Sequence, residues 1–138
     1  MAYALDSNII IRYLRDNETV LNNFDAAVNR GDDLVIPKVV NYELKRGFRI
    51  YSAPSKEAAY EVLTAPEGFC DIAEMDVRSW NRAEQVYVDL YNKGVTIGEM
   101  DILIAAFCLE YDHTLVTNNT KHFECIDGLA VVDWSIKI

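Results

Sequence analysis

The apolar residues of the chain fall either in short runs or at helical spacing, and the two patterns alternate. The runs AYAL, DLVIP, TLVT and LAVVDW have the length and composition of buried strands, and FCDIAEM is a possible further strand. Strands that alternate with helices favour a parallel sheet with helices on both faces, an α/β sandwich. Helices are predicted at 7–14, 18–30, 37–48, 55–64 and 76–93, and from Gly98 through the segment GEMDILIAAF.

Local signals predict where three of these helices begin. Ser7 is expected to cap the first helix, and Pro37 suits the first turn of the helix that follows DLVIP. Thr96 and Glu99 stand at the spacing of a capping box, in which the Glu bonds back to the backbone N–H of the Thr. That gives Glu99 a structural role. Asp101 lies about 200° further around the same helix and faces another direction.

The composition narrows the class of protein. The chain has 138 residues, of which 51% are hydrophobic and 25% charged, so residues 1–138 are expected to form one globular domain. The first residues do not resemble a signal peptide, and the expected location is the cytoplasm. Three widely spaced cysteines suggest neither a disulfide framework nor a thiolate metal site. A formal charge of −9 argues against holding nucleic acid by bulk attraction, so any action on phosphates needs a cation.

Several acids and amides follow predicted strands or lie near helix starts. Asp6 ends the first strand, and Asn118 and Asn119 follow TLVT, so these residues are expected at the edge of the sheet where ligands collect. Glu43 lies beside the apolar stripe of its helix, and Asp101 precedes an almost wholly apolar run. Each also has a simpler explanation: Asp6 as a helix cap, Glu43 as a solvated side chain, and Asp101 as an acid beside the helix dipole, worth about 0.3–1 kcal/mol.

Metal-dependent cleavage of a phosphodiester would give these acids a common purpose. Mg²⁺ or Mn²⁺ takes oxygen ligands, often one or two carboxylates with several waters, and leaves positions for phosphate oxygens. Asp6, Glu43 and Asp101 supply such acids from distant parts of the chain. The sequence therefore predicts a divalent-cation site that acts on phosphates.

These residues resemble the PIN-domain ribonucleases, specifically the VapC-type toxins of type II toxin-antitoxin pairs. The resemblance lies in LDSNIIIRYL, VVNYELKRG, GEMDILIAA, LVTNNTKHF and GLAVVDW, in this order along nearly the whole chain. It implies a PIN-like three-layer sandwich and a Mg²⁺- or Mn²⁺-dependent endoribonuclease that leaves a 5′-phosphate and a 3′-hydroxyl. It also implies a homodimer and a small VapB-like antitoxin that occupies the active site. The family's first three acids carry over onto Asp6, Glu43 and Asp101.

Asn119 departs from the strictest form of this pattern, because many relatives have an acid there. An amide can ligate a cation or a bound water through its carbonyl oxygen but cannot serve as a base. Asn119 is expected to complete the outer shell of the site. It also leaves open an alternative, a non-catalytic PIN-like binding module with impaired metal binding. A phosphoacceptor receiver domain would need two adjacent acids after its first strand, and LDSN has one.

Basic and polar residues near the acids complete the predicted site. Arg46 stands three positions from Glu43 and is interpreted as a phosphate contact or as the ion-pair partner of Glu43. Ser7 and Thr117 are grouped with Arg46 as substrate-binding residues. Neither histidine matches a role in the family, and neither is expected to be catalytic. Three basic residues form a stripe at helical spacing: Lys38, Lys45 and Arg49. The stripe is either a solvated face or a contact surface for RNA or antitoxin. If it contacts RNA, Arg49→Glu should weaken RNA cleavage.

Overall fold

The computed structural model describes residues 1–137 and contains one five-stranded, fully parallel sheet. The strands are β1 (Ala2–Leu5), β2 (Asp33–Pro37), β3 (Asp71–Ala73), β4 (Thr114–Val116) and β5 (Val131–Val132). They lie in the order β3-β2-β1-β4-β5, so β1 is central and β4 is its neighbour. The predicted α/β class with a parallel sheet is confirmed.

In the described part of the chain, seven helices connect and flank the strands. Six of them match the predicted helices to within a few residues, and the last was not predicted because it is a single short turn between a strand and a loop. No helix within residues 1–137 is long and apolar enough to cross a membrane. The helices are α1 (Ser7–Leu14), α2 (Glu18–Arg30), α3 (Lys38–Ile50), α4 (Pro54–Thr64), α5 (Val77–Lys93), α6 (Glu99–Tyr111) and α7 (Thr120–Phe123).

Two predicted helix starts are wrong. Asp6, not Ser7, is the N-cap of α1: its backbone is extended, with φ −79° and ψ 159°, and its carboxylate accepts the N–H of Ser7. The capping box of α6 does not form, because the extended backbone of Gly98 makes that glycine the N-cap. Glu99 is therefore the first helical residue, too early in the helix to bond back to Thr96, and its side chain is exposed.

The core lies around β1 and α6. Leu5 of β1 is fully buried. Helix α6 is buried around most of its circumference from Ile102 to Cys108 and packs along α5. A helix enclosed in this way is a rigid support for any side chain in its first turn, and Asp101 lies there. The three cysteines are free thiols, as the sequence predicted, and burial raises the pKa of Cys70 to about 12.

Candidate functional site

Asp6 and Thr117 lie next to each other at the carboxyl edge of the sheet. Leu5 pairs with Val116 across the two neighbouring strands β1 and β4, so Asp6 and Thr117 are the first residues beyond that edge. The backbone N–H of Asp6 donates to the carbonyl of Val116 at 3.0 Å. The parallel register thus brings together two residues that lie 111 positions apart in the chain.

Asp6 is buried and firmly held. One carboxylate oxygen, Oδ1, accepts the backbone N–H of Ser7 at 2.8 Å. The other, Oδ2, accepts the hydroxyl of Thr117 at 2.9 Å and the side-chain amide of Asn8 at 3.2 Å. Because a carboxylate can accept about four hydrogen bonds, these contacts fix its orientation and leave acceptor capacity for one further ligand. Only 5% of Asp6 is exposed.

Thr117 supports Asp6 through its hydroxyl. Its hydroxyl donates to Asp6 and accepts the Nδ2–H of Asn8 and the backbone N–H of Asn119, each at 3.1 Å. A hydroxyl has one proton and two lone pairs, so its hydrogen-bonding capacity is used up. Thr117 has no exposed surface. These contacts favour a positioning role for Thr117, and the predicted substrate contact stays a prediction.

Asn8 is a member of this network that the sequence did not reveal. Its amide donates to Asp6 and Thr117, and its Oδ1 accepts the backbone N–H of Asn118 at 3.0 Å. Asn8 therefore ties the start of α1 to the segment that follows β4. Its partners Thr117 and Asn118 lie 109 and 110 residues away, so local spacing gives no sign of the role.

The charges of the other two acids reach Asp6. Burial is the largest cause that raises the pKa of Asp6 above its usual value, and the hydrogen bonds from Thr117 and Ser7 counter it in part. The negative charges of Asp101 and Glu43 raise this pKa further. The fold thus directs three acids, from the end of β1, from α3 and from α6, toward one region, where a cation would relieve both the burial cost and the mutual repulsion.

Asp101 and Glu43 differ in their surroundings. Oδ2 of Asp101 lies 2.8 Å from Nε2 of His122, and 30% of the Asp101 side chain is exposed. Glu43 is half-buried and has no hydrogen bond or ion pair with any part of the described chain. It lines a cavity of about 600 Å³ together with Ser7 and Arg46. Glu43 therefore has a free carboxylate next to space that a ligand could enter.

Asn119 joins the site through its backbone. Its N–H donates to the Thr117 hydroxyl, while its side chain is exposed and makes no capping bond to α7. The position is compatible with the predicted outer shell, which stays a prediction. His122, three residues further on, is the side chain from this segment that contacts an acid of the site.

Arg46 does not pair with Glu43. No ion pair joins these two residues in the described structure, and the guanidinium of Arg46 lies 5.1 Å from the ring centroid of Tyr42. A stacked, exposed guanidinium at the cavity keeps its donors free for a phosphate. Of the two predicted roles of Arg46, the phosphate contact is the one compatible with this position.

The predicted basic stripe is engaged with acids. Lys38 lies 3.6 Å from Glu74, and Lys45 lies 2.9 Å from Glu61. Arg49 and Lys45 each lie 3.7 Å from Oε2 of Glu57 in α4. Because Lys38, Lys45 and Arg49 all lie near acids of the same chain, the stripe resembles a solvated face more than a binding surface. Contact with RNA or antitoxin stays a prediction.

The donor set fits a hard divalent cation. Within residues 1–137, no three His, Cys, Asp or Glu side chains lie close enough together to enclose a metal ion by themselves. A cage of that kind is not needed for Mg²⁺, which is usually held by one or two carboxylates and keeps several waters. Asp6 and Asp101 can supply those carboxylates. Their ligating atoms are oxygens, which are the ligands that Mg²⁺ prefers.

Comparisons with known proteins agree with the fold and the motifs. The family model described as PIN domain matches residues 3–129. The chain is 30% identical to the tRNA(fMet)-specific endonuclease VapC of Shigella flexneri, over 98% of this chain and 99% of that protein. It is 27% identical to Ribonuclease VapC2 of Rickettsia felis, over 97% of this chain and 98% of that protein.

Solved structures give the same result. VapBC2 from Rickettsia felis, bound to a DNA fragment from its promoter, matches with a TM-score of 0.84 and 25% identity, covering 97% of this chain and 99% of that one. VapBC-1 from nontypeable Haemophilus influenzae matches with a TM-score of 0.82 and 25% identity, covering 99% of this chain and 100% of that one. The resemblance inferred from the sequence motifs is confirmed: the chain belongs to the PIN-domain family, in its VapC branch.

Proposed function

We propose that this protein is a divalent-metal-dependent endoribonuclease that acts as the toxin of a toxin-antitoxin pair. The observation that carries the proposal is the buried carboxylate of Asp6, held in place by three hydrogen bonds and facing the charges of Asp101 and Glu43. Burying a charge beside like charges is costly unless a partner compensates it. A cation is the partner that suits these oxygen donors, and the relatives named ribonuclease or endonuclease supply the reaction class.

Each residue has a distinct role in the proposed mechanism. Asp6 and Asp101 hold Mg²⁺ or Mn²⁺ with one carboxylate each, and Asn119 contributes to the outer shell. When bound, the cation lowers the pKa of a water and offsets charge on the phosphate. Glu43, whose carboxylate has no partner in the described chain, orients the attacking water and accepts its proton. Arg46 binds a phosphate of the substrate backbone.

The reaction is a hydrolysis. Water attacks the phosphorus while the bond from phosphorus to the 3′ oxygen breaks, so the products carry a 5′-phosphate and a 3′-hydroxyl. The proton lost by the water goes to Glu43, and the leaving 3′ oxygen takes a proton from solvent water. Ser7, whose backbone N–H holds Asp6 and whose side chain lines the cavity, lies where the substrate would pass.

An antitoxin and a second copy of the chain are the proposed protein partners. The related solved structures are VapBC complexes, and the cavity beside Glu43 is lined by apolar residues such as Leu44 and Phe48 as well as by Arg46. An amphipathic segment of a VapB-like antitoxin would match that lining. On α5, Trp80 and Tyr87 are about half exposed, and they fit a dimer surface. Because the proposed substrate is RNA, the cytoplasm is the proposed location of the reaction.

The alternative is a binding module of the same fold that has lost competent metal binding. The specific observation in its favour is the uncharged Asn119, whose side chain makes no hydrogen bond with the acids in the described structure. This alternative predicts the same fold and the same protein partners without cleavage. Cleavage of RNA by the purified chain therefore decides between the two.

The test compares single substitutions at the two ends of α6. Asp101→Asn removes a proposed cation ligand, while Asp112→Asn makes the same chemical change at the exposed C-cap. Asp112 has φ 54°, a conformation that asparagine tolerates well. We expect the wild type and Asp112→Asn to cleave RNA with Mn²⁺ or Mg²⁺ and not with chelator, and Asp101→Asn to lose cleavage while staying folded.

Two results would contradict the proposal. Cleavage that persists at the wild-type rate in Asp101→Asn, or in the presence of chelator, would remove the metal site from the mechanism. A wild type that binds the cation but cuts no RNA would favour the binding module. Growth arrest on expression of the wild type alone, and normal growth with Asp101→Asn, would support the toxin role.

A further inference from the structure

Asp101 depends on a single side chain for its orientation. Asp6 is held by three hydrogen bonds, but the only partner of the Asp101 carboxylate in the described chain is Nε2 of His122, at 2.8 Å from Oδ2. No residue within 1–137 bonds to the other oxygen, Oδ1. Because an ionised carboxylate only accepts, the ring nitrogen must be the donor.

His122 is itself fixed by the short helix α7. The next residue, Phe123, is only 1% exposed and anchors the helix in the core. The imidazole meets the Phe123 ring edge to face, with the centroids 5.3 Å apart. The backbone N–H of His122 donates to the carbonyl of Asn119, and its own carbonyl accepts the thiol of Cys125. The donor that reaches Asp101 therefore comes from an ordered position.

We infer that His122 is a positioning residue of the site: its Nε2–H holds Oδ2 of Asp101 and leaves Oδ1 free for the cation. The inference rests on the proposed function, because it assigns His122 a role toward a cation held by Asp6 and Asp101. A hydrogen bond of this kind fixes a ligand in the geometry that the metal needs. Losing such a partner typically lowers metal affinity about 10–100-fold.

The position of α7 gives this contact a further consequence. Asn119 begins the segment and bonds through its backbone to Thr117, which in turn holds Asp6. The same short segment therefore supports both proposed cation ligands, Asp6 through Thr117 and Asp101 through His122. An uncharged Asn119 is tolerable in this arrangement because the segment acts by placing two carboxylates, without adding a third.

The experiment measures Mn²⁺ binding to the full chain by isothermal titration calorimetry at one pH. His122→Ala removes the donor, and His122→Gln keeps an N–H donor on a side chain of similar reach. His113→Ala is the matched control, since that histidine bonds to the carbonyl of Tyr111 and contacts Phe107 away from the acids. If His122→Ala is not folded by circular dichroism, His122→Leu replaces it, because leucine keeps an apolar contact with Phe123 but has no donor.

We expect His122→Ala, or its Leu replacement, to weaken Mn²⁺ binding about 10-fold or more. His122→Gln should recover most of the affinity, and His113→Ala should equal the wild type. Equal affinity of the wild type and the variant without a donor would overturn the inference while leaving the proposed function intact. A Gln variant as weak as the Ala variant would also overturn it, since the hydrogen bond would then not be the cause. A wild type that binds no Mn²⁺ would instead refute the proposed function.

Discussion

The variant Asp101→Asn allows two quantities to be measured separately: the stability of the metal-free protein and the affinity of the protein for a cation. Without metal, Asp101→Asn removes repulsion with Asp6 and loses a favourable interaction with the start of α6 worth about 0.3–1 kcal/mol. These two effects oppose each other, and the asparagine keeps the size of the side chain and an oxygen that can still accept from His122. We therefore expect the metal-free variant to differ from the wild type by no more than about 1 kcal/mol in the free energy of unfolding.

With metal, the two proteins should differ clearly. A ligand present at 100 times its Kd stabilises the folded state by about 2.7 kcal/mol. At about 2.1 cal/mol/K per residue, a chain of 138 residues has an unfolding entropy of about 0.29 kcal/mol/K. The wild type should therefore gain about 9 °C in Tm. Asp101→Asn, lacking one of two charged ligands, should gain far less at the same Mn²⁺ concentration.

Differential scanning calorimetry with and without Mn²⁺ measures both quantities. Asp112→Asn serves as the control and should shift as the wild type does, because that residue lies at the opposite end of α6. A Mn²⁺-dependent gain in Tm that is the same for Asp101→Asn and the wild type would refute the assignment of Asp101 as a ligand. A metal-free Asp101→Asn that unfolds several degrees lower would show that the acid is needed for folding instead.

Three further predictions follow from the site and its surroundings. Thr117→Val should lower the free energy of unfolding by about 1–3 kcal/mol in chemical denaturation, because it removes the donor to Asp6 and leaves buried partners unsatisfied; an unchanged value would contradict the network. Arg46→Glu should raise the KM for RNA more than Arg49→Glu does, since Arg49 already pairs with an acid; equal effects would argue against a phosphate contact at Arg46. Tyr87→Glu should shift a homodimer toward monomer in analytical ultracentrifugation, and an unchanged dimer would exclude this face of α5.

The fold was accessible from the sequence because its signals are local. Six helices and the positions of the strands along the chain followed from the pattern of the apolar residues, and the parallel sheet followed from their alternation; the order of the strands within the sheet was not predicted. The last strand is shorter than LAVVDW suggested, since only Val131 and Val132 pair with β4. Helix α7 has only the four residues Thr120–Phe123, fewer than a periodic pattern needs to be visible.

The helix starts show where local reasoning fails. Ser7 and Thr96 are good capping residues by type, but a cap depends on which residue takes the extended backbone conformation. Asp6 and Gly98 take it here, because β1 ends just before Asp6 and the loop before α6 ends at Gly98. Residue type alone could not decide which of two nearby residues, both able to cap a helix, would become the N-cap.

The sequence allowed the acids of the proposed site to be predicted but not the residues that hold them in place. Asp6, Glu43 and Asp101 could be named because chemistry limits which residues hold a cation, and the family motifs gave their positions. Asn8 and His122 could not, since each acts through a partner that only the folded chain brings near. His122 reaches Asp101 across 21 positions and two secondary-structure elements.

In the proposed reaction, water and not the ribose 2′-hydroxyl attacks the phosphodiester at a site built on Asp6, Glu43 and Asp101. The most direct test is cleavage of an RNA in ¹⁸O-labelled water with Mn²⁺, followed by mass spectrometry of both product ends. We predict one ¹⁸O atom in the new 5′-phosphate and an unlabelled 3′-hydroxyl on the other fragment. A 2′,3′-cyclic phosphate with an unlabelled 5′-hydroxyl would show that the 2′-hydroxyl attacks, and it would contradict hydrolysis by water at this site.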